Sequence, residues 1–205
     1  MSADARSAPP ADDAERVPGG PEYGPLLAAA HHLLDTIACL NAPDHLVQAA
    51  AAALRDVSAS LEAYRTDESE SPAGRRPDLP GRGHPLLAPF VEDLAERDRS
   101  HGWVTFRRAH LGGAAATHGG MLPLLFDDVL GHLATRRGAQ YPVRTAFLHV
   151  DYRRLTPVGA PLEAQAWVEH VERRKIHVRG DLRATSGDVL AEAHGLFVTP
   201  NLICD

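Results

Sequence analysis

His118, Gly119 and Gly120 stand directly before a long apolar stretch that contains an acid pair, Asp127 and Asp128. If a helix begins at the glycines, its first backbone N–H groups have no intrahelical acceptor and lie at the positive end of the helix dipole. Such a terminus can hold the charge that develops on a carbonyl oxygen under attack, and glycine lets a ligand come close to that backbone. A carboxylate two turns further along, or on the same helix of a partner subunit, can take the proton of the attacking water. Adjacent helical residues point about 100° apart, so Asp127 and Asp128 cannot serve one site equally. Helix geometry alone leaves open which of them does.

Two basic groups, Arg153 with Arg154 and Arg173 with Arg174 and Lys175, fall at an expected strand end and around an expected hairpin. Guanidinium forks recognise phosphate well. The net charge of -6 is unevenly spread: residues 1–70 hold 12 acids and 4 bases, residues 71–205 hold 15 acids and 17 bases. The mildly basic second portion suits a small anionic ligand and lacks the strongly basic stripe of a nucleic-acid binder. Twelve histidines are scattered, with no H-E-x-x-H or C-x-x-C, so no metal site is expected. The two cysteines, Cys39 and Cys204, are far apart, which excludes a disulfide framework and fits a reducing cytoplasm. There is no P-loop, G-x-S-x-G elbow or dinucleotide fingerprint. Neither a secretory-signal pattern nor an 18-residue apolar run appears, so no membrane partner is expected.

The elements that must position these residues follow from composition and period. Residues 1–20 are rich in Pro, Ala, Gly and acids and read as a disordered tail. Over 21–66 two apolar stripes (Leu26, Leu27, Leu33, Leu34, Ile37 and Leu40, then Val47, Ala50, Leu54, Val57, Leu61 and Tyr64) flank "NAP", which predicts a helical hairpin whose second seam packs on a partner. Residues 67–85 have no period and read as a linker, with a short helix expected near 86–98. Strands are expected at 102–109, 144–154, 161–171, 175–185 and 189–199, several with half-buried alternation. Between the first and second lies "GGMLPLLFDDVLGHLATRR", 119–137, a helix apolar on most sides that ends in Arg136 and Arg137. Such a helix must be wrapped, so the fold class is α+β, an antiparallel sheet curled around a long central helix.

With these elements in place, the chain resembles the hotdog-fold acyl-CoA thioesterases, in particular their PaaI-like branch, over roughly residues 100–199. The resemblance is carried by His118-Gly119-Gly120 with Asp127 nine residues after the histidine, by "HVDYRRLTP" at 149–157 and by "AEAHGLFV" at 191–198. It implies a hotdog thioesterase domain over 86–205 and a thioester hydrolase that releases free acid and CoA, in the cytoplasm. It selects Asp127 as general base and the amides of Gly119 and Gly120 as oxyanion donors, with His118 at the helix mouth. Counting seven residues back from Tyr152 gives Thr145, whose hydroxyl from the facing subunit would orient the water. Arg153, Arg154, Arg173, Arg174 and Lys175 would hold CoA phosphates; CoA is part of the substrate, and no separate cofactor is implied. A homodimer or homotetramer with sites at the subunit interface is implied as well. The sequence departs from the family in two places: "RRAHLGGAAAT" holds no asparagine before the glycines, and Glu172 and Arg173 stand where a G-R-K turn has glycine. Two other functions fit the same fold, a non-catalytic acyl-CoA-binding domain and an enoyl-CoA hydratase or dehydratase using Asp127 and His132 as D-x-x-x-x-H.

Overall fold

The computed structural model describes residues 17–138 and 143–200. The tail expected over 1–20 lies outside the described residues up to position 16. The chain opens with α1 (Tyr23–Ile37) and α2 (Asp44–Glu62), and Pro43 stands at the N-cap of α2. α1 packs on a 3-10 turn at Arg108–His110 and buries Leu27. α2 buries no side chain and scarcely touches α1. Its stripe of Leu46, Val47, Leu54, Val57 and Leu61 is exposed, with no described element over it.

Residues 67–85 do not act as a free spacer in their second half. Arg76 is 4% exposed, pairs with Asp78, and donates to the carbonyls of Pro18 and Gly20 at 3.0 and 2.9 Å. The Tyr23 hydroxyl donates to the Gly83 carbonyl at 2.8 Å. An aperiodic Pro/Gly segment is held here by buried, charge-assisted hydrogen bonds, which leave no periodic trace in sequence.

The short helix expected near 86–98 is absent, and a strand stands in its place. β1 (Phe90–Ala95) pairs antiparallel with β2 (Arg99–Thr105). "VEDLAERD" is built of helix formers, but burial of Phe90 and pairing of the segment with β2 override that preference. Gly102 makes the hairpin possible: a Cβ there would lie 2.1 Å from the Val91 carbonyl oxygen and 2.7 Å from the Phe90 ring.

A small hairpin, β3 (Leu111–Gly113) and β4 (Ala116–Thr117), leads into α3 (Met121–Gly138). Then follow β5 (Arg144–Tyr152), β6 (Pro161–Glu172), β7 (Lys175–Ala184) and β8 (Val189–Val198). The main sheet has the order β1-β2-β6-β7-β8-β5, antiparallel throughout. α3 lies across its inner face, burying Leu122, Leu125, Phe126, Val129, Leu130, Leu133 and Ala134 at helical spacing. Opposite them, alternate sheet residues point inward, among them Leu162, Ala164 and Ala166 of β6 and Ile176, Val178 and Leu182 of β7. Complete burial of such side chains stabilises by about 1.5–3 kcal/mol each. Gly180 lets the helix settle on β7, since a Cβ there would stand 2.8 Å from the Leu130 side chain. The β6–β7 turn puts Arg173 at φ +53°, so the position that departs from the family's glycine is one that asks for glycine.

Candidate active site

The mouth of α3 is built by local hydrogen bonds. The His118 backbone N–H donates to the His110 carbonyl at 2.7 Å, and the Met121 N–H donates to the His118 carbonyl at 2.9 Å. The Gly120 N–H donates to Nδ1 of His118 at 3.0 Å, so the imidazole caps the helix. Of the two amides expected to polarise a carbonyl, Gly120's is therefore occupied. The Gly119 N–H makes no hydrogen bond among the described residues. That N–H belongs to the His118–Gly119 peptide, which Met121 holds through the His118 carbonyl, while the following peptide is held through the Gly119 carbonyl, which accepts from the Tyr152 hydroxyl at 3.0 Å. A groove of about 380 Å³ opens at this point, lined by Thr117, Gly119, Leu122, Tyr152, Arg154 and Thr156 among others.

Asp127 is exposed on α3 and accepts a hydrogen bond from the Thr145 hydroxyl at 2.8 Å. Both belong to one chain; the start of β5 runs beside the middle of α3 and brings the pair together. Asp128 turns to another side and is held by both terminal nitrogens of Arg82. His132 lines a cavity of about 260 Å³ with Arg82, Glu92 and Ser100. Asp127 and His132 thus belong to different surroundings, and the D-x-x-x-x-H pair of the hydratase reading does not assemble.

The Gly119 amide and Asp127 are separated by eight residues, about 12 Å along a helix rising 1.5 Å per residue. A water poised on a carbonyl needs its base within hydrogen-bond reach, about 3 Å. The two groups of one chain are therefore too far apart to act on one carbonyl. A second helix running the other way, beside the first, would place the Asp127 of one chain opposite the Gly119 of another.

The two basic groups lie at opposite ends of α3. Arg153 and Arg154 stand by the helix mouth, where Arg153 pairs with Glu192 at 2.6 Å and Arg154 with Asp188 at 3.3 Å. Arg173, Arg174 and Lys175 flank the β6–β7 turn, near the C-terminal end of α3, where Gly138 meets Ile176 and Thr199. The sequence reading passed over Tyr152 as a site residue, although it had served as the landmark for Thr145. It also passed over His110 and Arg107, which carry no periodic or motif signal. Among the described residues no group of three or more His, Cys, Asp or Glu could hold a metal ion, and no helix is long and apolar enough to cross a membrane.

His110, buried beneath the mouth, accepts the Arg107 backbone N–H on Nδ1 at 3.0 Å. Burial first, and the neighbouring Arg107 second, push its pKa down to about 4 from an ordinary 6.5. The unfolded chain takes up a proton near the ordinary value while the folded chain refuses it, so the contribution present above pH 6.5 falls away toward pH 4. The expected loss is about 2 kcal/mol after allowance for solvent screening. Urea unfolding of wild type and His110→Gln across that interval checks this: the difference in stability between them should narrow as the pH falls.

Residues 115–191 match the family described as the thioesterase superfamily. This segment is a thioesterase-superfamily domain. A crystal structure of a thioesterase superfamily protein resembles the chain with a TM-score of 0.75 at 27% identity, covering 89% of this chain and 93% of the other. That coverage extends into the helices and loops before β1. A Streptococcus mutans protein solved bound to acetyl-CoA aligns at 17% identity with a TM-score of 0.51, covering 54% of this chain and 88% of its own. A hypothetical thioesterase protein from Streptococcus pneumoniae, solved with coenzyme A, aligns at 16% identity with a TM-score of 0.50, covering 53% and 86%. At these identities the two streptococcal proteins show the hotdog fold alone. No curated protein matches the sequence. The thioesterase-superfamily domain spans the helix mouth, Asp127, Thr145 and both basic groups.

Proposed function

We propose that the protein is an acyl-CoA thioesterase of PaaI-like type that works as a homodimer or a larger homo-oligomer. The observation that carries this reading is the pairing of Thr145 with an exposed Asp127, together with a free Gly119 amide at the mouth of the same helix. In an antiparallel pair of α3 helices, Gly119 of one chain polarises the thioester carbonyl while Asp127 of the other takes a proton from water. The oxygen of that water bonds to the carbonyl carbon, the C–S bond breaks, and the CoA thiolate leaves. Thr145 donates to one oxygen of Asp127 and so turns the other toward the water. His118 and Tyr152 hold the next peptide, Gly119–Gly120, from its two ends, and so steady the turn that presents the Gly119 N–H.

The dimer is supported by β5, an edge strand with Phe147 and Tyr152 44% and 55% exposed. An open edge of that kind invites pairing with a second strand. In the same antiparallel arrangement the Arg153–Arg154 group of one chain and the Arg173–Lys175 group of the other flank one groove, as the phosphates of CoA require. The acetyl-CoA and coenzyme A seen in the two streptococcal structures support a CoA ester as the ligand.

Free-thiol release from short, long and aromatic acyl-CoAs tests the reading and identifies the acyl class. Turnover of at least one of them is expected. CoA-ester binding with no thiol release from any would replace hydrolysis with a binding function.

A further inference from the structure

α2 stands clear of the other described elements: none of its side chains is buried, and no side chain caps its N-terminus. A protein helix draws most of its stability from the packing of an apolar face, and α2 carries such a face with no described element against it. Residues 1–16 hold no large apolar side chain besides Met1, so they cannot supply the missing surface.

The spacing of that face is specific. Val47, Ala50, Leu54, Val57, Leu61 and Tyr64 advance by three and four residues in strict alternation. This is the a/d seam of a heptad coil, whereas a helix lying on a globular surface carries a wider stripe. The seam reaches Tyr64 because the chain continues past Glu62 in a tightened turn, with the Tyr64 N–H donating to the Leu61 carbonyl at 3.0 Å. Leu46 stands beside the start of the seam, and Ala51, Ala53, Ser58 and Ser60 flank its middle. These flanks are small and uncharged, so a second α2 can come close without meeting a like charge.

The seam is complementary to itself in one direction. Two copies laid parallel would put Ala50 on Ala50 and Tyr64 on Tyr64, a void at one layer and crowding at another. Laid antiparallel, they put Ala50 opposite Leu61, Val57 opposite Leu54 and Val47 opposite Tyr64, so that every layer joins a smaller side chain to a larger one. The same register brings Asp44, which opens one helix, beside Arg65, which follows the end of the other, and symmetry makes this charge pair twice. In its own chain Arg65 gives one nitrogen to Glu62 and is otherwise exposed. Opposed helix dipoles favour the antiparallel arrangement further.

We propose that α2 is a self-association element, and that two copies of the chain join through an antiparallel coil of their α2 helices. The contact lies outside residues 115–191 and uses no residue of the catalytic site. Added to the pairing through β5, it joins two dimers into a tetramer.

Sedimentation velocity of full-length wild type, Leu54→Glu and Val57→Lys tests this. Wild type should show about twice the mass of either variant, whether the variants are β5-paired dimers or single chains, so the ratio is independent of the proposed function. Mixed in equal amounts, the two variants should regain the heavier species. The antiparallel register sets the new carboxylate of one chain against the new ammonium of the other, and leaves Val57 against Leu54 in the matching layer; in a parallel coil the two changes would not meet. Both tryptophans, Trp103 and Trp167, lie in the sheet, so the urea midpoint read by their fluorescence should be the same in all three proteins. One mass for wild type and variants would overturn the proposal, as would a lowered urea midpoint, which would place α2 against its own domain. Light variants whose mixture stays light would overturn the antiparallel register.

Discussion

Replacing Asp127 by Asn should lower kcat for acyl-CoA hydrolysis about 100- to 10,000-fold, with KM little changed. The amide keeps the size of the carboxylate and can still accept from Thr145, so the hydrogen bond at 2.8 Å persists and the loss isolates the base. Asp127 is exposed and takes part in no ion pair among the described residues, so the variant should fold as wild type does. Thiol release under saturating substrate, read beside a urea melt, separates the two effects. Retained turnover would remove Asp127 from the chemistry.

The largest effect on stability is expected one residue further on. Arg82 and Asp128 form a two-pronged ion pair whose side chains are 19% and 9% exposed. Arg82→Met should destabilise the fold by about 3–5 kcal/mol, because it leaves Asp128 charged and unpaired in a largely dry place. Arg82→Met combined with Asp128→Leu should recover most of that loss, since a buried ion pair and an apolar pair of similar volume are often close in stability. Arg82 also sits at φ +52° between Gly81 at +58° and Gly83 at +70°, a run that the contact with Asp128 holds in place. Urea midpoints of the two singles and the double measure the coupling. A double variant as unstable as Arg82→Met would place the cost in backbone strain and not in the ion pair.

The contrast between these neighbouring acids marks how far the sequence was legible. The helix and its glycine mouth could be read because both are local, whereas the choice of Asp127 over Asp128 came from the family resemblance and not from helix geometry. Strands β6 to β8 could be read because one face is buried and the period-two alternation survives over much of each. Asp128's partner could not, since Arg82 lies 46 residues away in an aperiodic segment whose order comes from individual hydrogen bonds. β1 was hidden for the opposite reason: its local composition points to a helix, and only pairing with β2 makes it a strand. Arg107 stands in "RRAH" with nothing to separate it from any surface arginine; its distinction is burial next to a neutral His110, a tertiary property.

The central claim is that one catalytic site takes Gly119 from one chain and Asp127 from another. Gly119→Val, whose side chain would project toward Tyr152 into the groove, and Asp127→Asn should each be inactive alone. The two variants, unfolded together and refolded as a mixture, should regain about a quarter of wild-type thiol release, because half of the dimers are mixed and each mixed dimer holds one intact site of two. A mixture as inactive as its components, with mixed dimers present, would contradict the shared site.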